Sequence, residues 1–370
     1  DLPRDRALWA PIFLGAIGSP DPNGRQLDGM GGGISSLSKV CVVGPASRPD
    51  ADVDYTFAQV SVKDAAVDYS GNCGNMSSAV GPFAVDEGMV AIDGGDEAVV
   101  RIHNTNTKKI IVSRFRIDDG HAAVDGDFVL PGVAGTGAPI RLEFIEPGGA
   151  GTGKLLPTGN TIDRLEVIGA APIDASMVDA ANPCVFVAAT ALGMTGVERP
   201  DELEANRDLA VRLEAIRIAA SVRMGITATT AAAAQRPSIP KVAMVAGPRE
   251  ASTLSGEKLA ADACDITVRM ISIGQPHRAV PLTGAMCLAV ASRLPGTIVN
   301  RLARMAKSEG GPVRIAQPSG LTVVDAAVRK DGDTWVAEQA TVYRTARRLM
   351  EGAVYVRASL WPAELRAWRP

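Results

Sequence analysis

The apolar positions along the chain follow two periods, and one passage is written twice. Residues 36–45 read SLSKVCVVGP and residues 238–248 read SIPKVAMVAGP, each a short apolar strand pattern opened by a lysine, Lys39 and Lys241. Downstream, DVDYTFAQVSV (52–62) answers ACDITVRMISI (263–273), both alternating like half-buried strands. CGNMSSAVGPFAV (73–85) then aligns with TGAMCLAVASRL (283–294), each opening on a small residue plus Gly and continuing as an apolar helix. From lysine to helix start the spacing is 34 in the first copy and 42 in the second. Three matches in one order predict an internal duplication. Each half should hold several antiparallel strands around one apolar helix, an α+β fold of two pseudo-repeat domains.

Further strands are expected at EAVVRIHNT (97–105), KKIIVSRFRI (108–117), IRLEFIEP (140–147), PCVFVAAT (183–190), LTVVDAAVRK (321–330), TWVAEQATVYRT (334–345) and GAVYVRASL (352–360). Asp119-Gly120, Asp125-Gly126 and Asp331-Gly332 mark hairpin turns. Two amphipathic stretches, 5–17 and 201–224, read as solvated flanking helices, and ITATTAAAAQRPS (226–238) as an exposed connector. The second half approaches its long helix from a strand, NPCVFVAATALG (182–193); the first half opens at DLPRDRALW with no strand before it.

Length and composition narrow this picture. At 370 residues the chain exceeds one compact core, so two domains are expected: 1–160 joined by a C-terminal strand at about 353–370, and 161–352. The net charge is −3 with acids and bases interspersed, and no basic stripe is present, which argues against a nucleic-acid partner. No run approaches the roughly 18 apolar residues of a membrane span, so no membrane partner is expected. The N-terminal DLPRDRALWAPI lacks the layout of a secretion signal. Five scattered cysteines (Cys41, Cys73, Cys184, Cys264 and Cys287) without CxxC or His/Cys clusters argue against a disulfide frame or a metal site. A cytoplasmic, reduced protein is the expectation.

Candidate chemistry gathers at few places. GGAGTGKL (148–155) nearly matches a phosphate-binding loop, but Leu155 stands where Ser or Thr would hold magnesium, and Pro157 blocks the following helix. A flexible inter-domain loop is the better reading. DGMGGGISSLSK (28–39) is Gly-rich without dinucleotide spacing and suits a loop whose backbone approaches an anion. Cys73 begins the first apolar helix and Thr283 the second. Helix N-termini present unpaired N–H groups, and two of them facing across an interdomain cleft would grip a small di- or tricarboxylate. Cys73 is either a buried structural thiol or a reactive one favoured by that helix start. Lys39 opens an otherwise apolar strand; it is a surface lysine, or a desolvated amine that acts as a base. His277 and Arg278 precede the second helix and form a carboxylate-binding pair, or His277 is structural. His103 and His121 carry no signal, and QPSG (317–320) offers a turn with free N–H groups.

The blocks DLP…GSPD…QLDGMGG…SK, SGNCGNMSSAVGPFA, LPTGN, the PSG turn and RTARRLMEG resemble the PrpF family over essentially the whole chain. That family groups 2-methylaconitate cis-trans isomerases, methylitaconate Δ-isomerases and oxalomesaconate tautomerases. The resemblance implies a diaminopimelate epimerase-like fold, with a strand barrel around a central helix in each domain and the active site between them. It implies cofactor-independent movement or cis-trans isomerisation of a double bond in an unsaturated polycarboxylate, through abstraction of an allylic proton. The family's base falls on Lys39, beside Ser38 of the SK motif. Cys73 becomes an acid or a substrate-positioning group, and Asn72, Gly74, Asn75 and Met76 carry backbone and amide contacts to a carboxylate. His277, Arg278, Thr283, Gly284, Ser319 and Gly320 complete the expected substrate site, and no metal is expected.

Two departures matter. The family's RGGTSKG segment ahead of DLP, which supplies the first strand and part of the substrate site, does not stand in this sequence; a folded protein without it is expected to have an open edge on the first barrel and to lose activity. Gln317 stands where a His usually precedes the PSG turn. An amino-acid epimerase of this fold uses a cysteine at each helix start, which Thr283 argues against; a non-catalytic metabolite-binding protein is the other reading. A homodimer is compatible with the sequence, which does not set oligomeric state or the particular polycarboxylate.

Overall fold

The computed structural model describes residues 2–304 and 311–361. Its first half contains β1 (Lys39–Pro45), β2 (Val53–Val60), β3 (Val67–Asp68), β4 (Glu97–Asn104), β5 (Lys109–Asp118), β6 (His121–Ala122) and β7 (Ile140–Ile145), with helices α1 (Trp9–Ile17) and α2 (Gly74–Asp86). In the second half, β8 (Asp163–Leu165), β9 (Ile173–Ala180) and β10 (Asn182–Ala188) lead to α3 (Pro200–Ala205), α4 (Arg207–Arg223) and α5 (Thr230–Ala234). There follow β11 (Lys241–Ala246), β12 (Ala251–Ser252), β13 (Lys258–Leu259), β14 (Ile266–Ser272), β15 (Gln275–Pro276), α6 (Leu282–Arg293), α7 (Ile298–Leu302), β16 (Val313–Gln317), β17 (Gly320–Asp331) and β18 (Thr334–Arg344).

The duplication read from sequence is present in the hydrogen bonding. β1 pairs antiparallel with β2, β2 runs parallel to β4, and β4, β5 and β7 continue antiparallel. The second half repeats this with β11, β14, β16, β17 and β18 in the same senses. Even the short partners correspond, since β3 pairs with β2 and β15 with β14. β7 also pairs with β18, so the two halves join in one continuous sheet across that seam. β10 lies parallel beside β11, whereas β1 has a strand partner on one side only among the described residues.

Each half bends around its helix. α6 touches β9 and β10 as well as β17 and β18, strands far apart in sheet order. Strands lie ~4.8 Å apart and a helix with its side chains is about 10–12 Å wide, so only a curved sheet makes both contacts. The composition of α6 permits this: eleven of its residues are buried, many of them Ala, Gly or Cys, and an all-round apolar helix must be surrounded. α2 is wrapped likewise by β1, β2, β4, β5 and β6. The fold is α+β, with two pseudo-repeat domains, each a strand barrel around a central helix.

Four local expectations change. α4 is not a solvated flank: Leu209, Leu213, Ile216, Ala220 and Met224 form a second core with β8–β11, and α1 covers β1 and β2 through Phe13 and Ile17. The connector contains the short helix α5, with Ala233 buried. Asp119-Gly120 and Asp331-Gly332 do make hairpin turns, but Gly126 lies in a loop pressed on the Ala138 backbone, where a β-carbon would come within 2.7 Å. The C-terminal strand expected at about 353–370 is not formed over 353–361, and 362–370 lie outside the described residues. The apolar alternation there finds no strand partner; Val356 instead packs on Gly15, and Arg357 pairs with Asp28 at 3.0 Å.

Candidate active site

The period of two along β1 decides where its lysine points. Val40 and Val42 join the outer core under α1, while Cys41 and Val43 pack inward. Lys39 shares the inward face, and its Nζ donates to Cys73 Sγ at 3.4 Å. Cys73 is the N-cap of α2, extended, with its side chain free of any capping bond. Lysine and thiol, 34 residues apart in sequence, therefore meet at a helix N-terminus, where unpaired N–H groups favour negative charge.

The opposite wall comes from the repeat. Alternation along β11 places Val242 and Met244 outward under α4, and Ala243 and Val245 inward. Lys241 shares the inward face and donates from Nζ to Ser272 Oγ at 3.1 Å. Burial pushes the pKa of this amine down, and neighbouring Lys39 adds to that. Burial, then Lys241, then Lys39, hold the His277 imidazole down to about 4, so it is neutral near neutral pH. The Nε2 of His277 is buried with no hydrogen-bond partner among the described residues. Neither lysine forms an ion pair with a carboxylate among those residues.

A cleft of about 200 Å³ runs between the halves, lined by Gln59, Ser70, Gly71 and Asn72 on one side and by Lys241 and Ser272 on the other. The two helix starts do face one another, Gly74 packing so closely on Leu282 that a β-carbon there would collide with it. Asn72 Oδ1 accepts from Ser77 Oγ and Asn104 Nδ2, fixing the SGN turn. Asn75 is exposed and its Oδ1 accepts from Arg344 Nε at 3.2 Å; Met76 packs on the core. Burial holds the Arg344 guanidinium down to about 10.

Other expected residues stand differently. Ser38 is completely buried, its hydroxyl donating to Gln26 Oε1 and the Ile34 carbonyl, so it secures the loop before Lys39 rather than presenting a free group. Thr283 is 5% exposed and is the second residue of α6, which starts at Leu282 behind an N-cap at Pro281. Gly284 is buried against Met270. Arg278 is exposed, and its carbonyl accepts from Ser319 Oγ at 2.5 Å. Gln317, 4% exposed, accepts on Oε1 from the N–H groups of Val280 and Ser319, tying the turn at Ser319-Gly320 to the segment before α6. It is a brace.

Several motif blocks prove architectural. In GSPD, the Asp21 carboxylate accepts N–H bonds from Gln26, Asn23 and Arg25, and these hold it below the usual carboxylate range. Gly29 of DGMGG is pressed on Gly18 with no room for a β-carbon. In GGAGTGKL, the N–H groups of Gly151 and Thr152 and the Thr152 hydroxyl donate to Asp179 Oδ2 at 2.8, 2.6 and 2.8 Å. The anion in that loop is the protein's own carboxylate.

Lys241, Ser272 and Arg344 lay outside the expected site. The signal for Lys241 was the repeat itself, which opens both strand patterns with lysine; Arg344 begins the RTARRLMEG block; nothing in sequence marks Ser272.

No described helix is long and apolar enough to cross a membrane. The chain is 45% identical over 360 residues to a 3-methylitaconate isomerase of Eubacterium barkeri, covering 96% of this chain and 92% of that one. It is 38% identical over 366 residues to a 2-methyl-aconitate isomerase of Shewanella oneidensis, with the same coverage of each. A crystal structure of a methylitaconate Δ-isomerase superposes with a TM-score of 0.84 at 43% identity, over 100% of this chain and 93% of that one. The PrpF protein model matches residues 1–357, and the chain belongs to that family.

Proposed function

We propose that this protein is an isomerase that shifts, or isomerises cis-trans, the double bond of an unsaturated di- or tricarboxylate, with Lys39 as the base. The observation that carries the proposal is the Lys39 Nζ to Cys73 Sγ contact of 3.4 Å at the N-terminus of α2, beside the interdomain cleft. The neutral amine takes a proton from the carbon allylic to the double bond. The C–H electrons enter a dienolate conjugated with a substrate carboxylate, and the resulting ammonium returns the proton. Return at the far allylic carbon moves the double bond. Return at the original carbon, after rotation about the former double bond, interconverts cis and trans. Atoms and electrons balance without a further reactant. Cys73, in hydrogen-bond contact with the amine, relays or returns that proton, and the start of α2 stabilises the carboxylate as it takes up charge.

All five cysteines are free, which fits a reducing, cytoplasmic location. Incubation with cis-aconitate, 2-methylaconitate, methylitaconate and oxalomesaconate, followed by proton NMR, tests the activity. Isomerisation of at least one is expected. A protein that binds these acids and leaves all of them unchanged is a binding protein instead.

A further inference from the structure

We infer that Lys241, with Ser272 and the His277 imidazole, forms a carboxylate subsite on the second-half wall of the cleft, holding the substrate carboxylate remote from the proton that Lys39 moves. The inference rests on the polycarboxylate-isomerase reading and extends it to a residue outside the lysine–thiol pair.

Its first support is the state of the amine. Lys241 lies inward on β11, and its one described hydrogen bond goes to a neutral hydroxyl, Ser272 Oγ at 3.1 Å. An ammonium in such a place, without a counter-ion, is costly, and natural proteins seldom keep one that serves only packing. A bound carboxylate supplies the missing charge. The second support is His277, whose Nε2 is buried and unpartnered. The His277 N–H donates to the Met270 carbonyl at 2.8 Å, which sets this residue beside the end of β14, where Ser272 holds the Lys241 amine. The cleft of about 200 Å³ is lined by both Lys241 and Ser272.

The pseudo-symmetry shows why this lysine is a binding group and not a second base. Lys39 lies opposite Gln59 in its hairpin, and the pairing of Val242 with Ile271 sets Lys241 beside Ser272 in the other. The two lysines therefore descend from equivalent positions. Lys39 meets a thiol at the start of α2, but α6 starts with Pro281 and Leu282, and Thr283, aligned with Cys73, carries a hydroxyl far less acidic than a thiol. One lysine kept an acid–base partner. The other kept a hydroxyl and a neutral ring, donors suited to a carboxylate.

Lys241→Met, Lys241→Gln and Lys241→Arg are compared with the full-length wild type. Affinity for tricarballylate, a saturated tricarboxylate that cannot isomerise, is measured by calorimetry, and kcat and KM with whichever unsaturated acid is turned over. Lys241→Met is expected to lose roughly 30-fold or more in tricarballylate affinity, the scale for removing one partner of a buried charge pair. KM should rise by a similar factor with a smaller fall in kcat, and Lys241→Arg should restore most of the affinity. Unchanged affinity and KM in Lys241→Met overturn the subsite while leaving the isomerase reading intact. Should Lys241→Met not fold, Lys241→Gln, which keeps a hydrogen bond to Ser272 without the charge, takes its place: the same loss supports the subsite and unchanged affinity overturns it. A wild type that neither binds tricarballylate nor turns over any unsaturated acid defeats both readings.

Discussion

Lys39 stood out in sequence as the lysine opening an apolar strand and as the lysine of the SK motif; its inward face follows from the period of two along β1, whose Val40 and Val42 take the other face. Its partner was legible only in part: SGNCGN marks a helix start, but the 3.4 Å contact across 34 residues needs the folded sheet. Lys241 was visible as a repeated letter, and its burial was not, because burial comes from both halves closing on it. Cys73→Ala should lower kcat by about 10²-fold through loss of proton relay, while retaining more activity than Lys39→Met. Equal losses in steady-state assays would make the thiol as necessary as the amine. His277 gives a prediction in pH. Its pKa falls from 6.5 to about 4 on folding, so the unfolded chain binds more protons in that interval and stability declines as pH drops through it. The decline attributable to this ring is on the order of 3 kcal/mol. Urea unfolding of His277→Gln at several pH values should show a flatter profile than wild type; an equal slope would contradict the assignment.

Elements were read well where pattern and partner agree. β17 and β18 carry alternating residues and pair over their length, so pattern alone found them. GAVYVRASL carries the same kind of pattern and forms no strand, since alternation supplies a face but no neighbouring edge. The stretch at 201–224 looked solvated because its charges are many, yet Arg217 is 2% exposed, held by Glu214 and by the carbonyls of Ala233, Arg236 and Ile239. A buried arginine fully paired within its own layer leaves no trace in a charge count. In α2, Gly81 sits where a β-carbon would approach Ser113 Oγ at 2.6 Å and Phe115 at 2.9 Å. Gly81→Ala should therefore destabilise by about 1–2 kcal/mol, overpacking outweighing the gain in helix propensity. Chemical denaturation checks it, and a stabilised variant would show that the sheet yields there.

At the scale of the molecule, the duplication was legible and the seam was not. Nothing in sequence says that β7 and β18 pair, but that ladder makes one sheet of two halves, and one core cluster runs from Val53 through α6 to Val342. The two halves should accordingly unfold in a single transition by calorimetry. Two resolved transitions would mean that the seam holds the halves only weakly. The same closure sets Asn72, at the α2 start, and Lys241 on one cleft, so the proton transfer proposed for Lys39 draws on both halves of the chain. It is tested by deuterium entry at the allylic carbons of the accepted polycarboxylate in deuterated water, followed by NMR for wild type and Lys39→Met. Label should enter with wild type, and exchange should fall by at least about 10²–10⁴-fold in the variant. Exchange at the wild-type rate in a folded Lys39→Met protein would show that another group takes the proton.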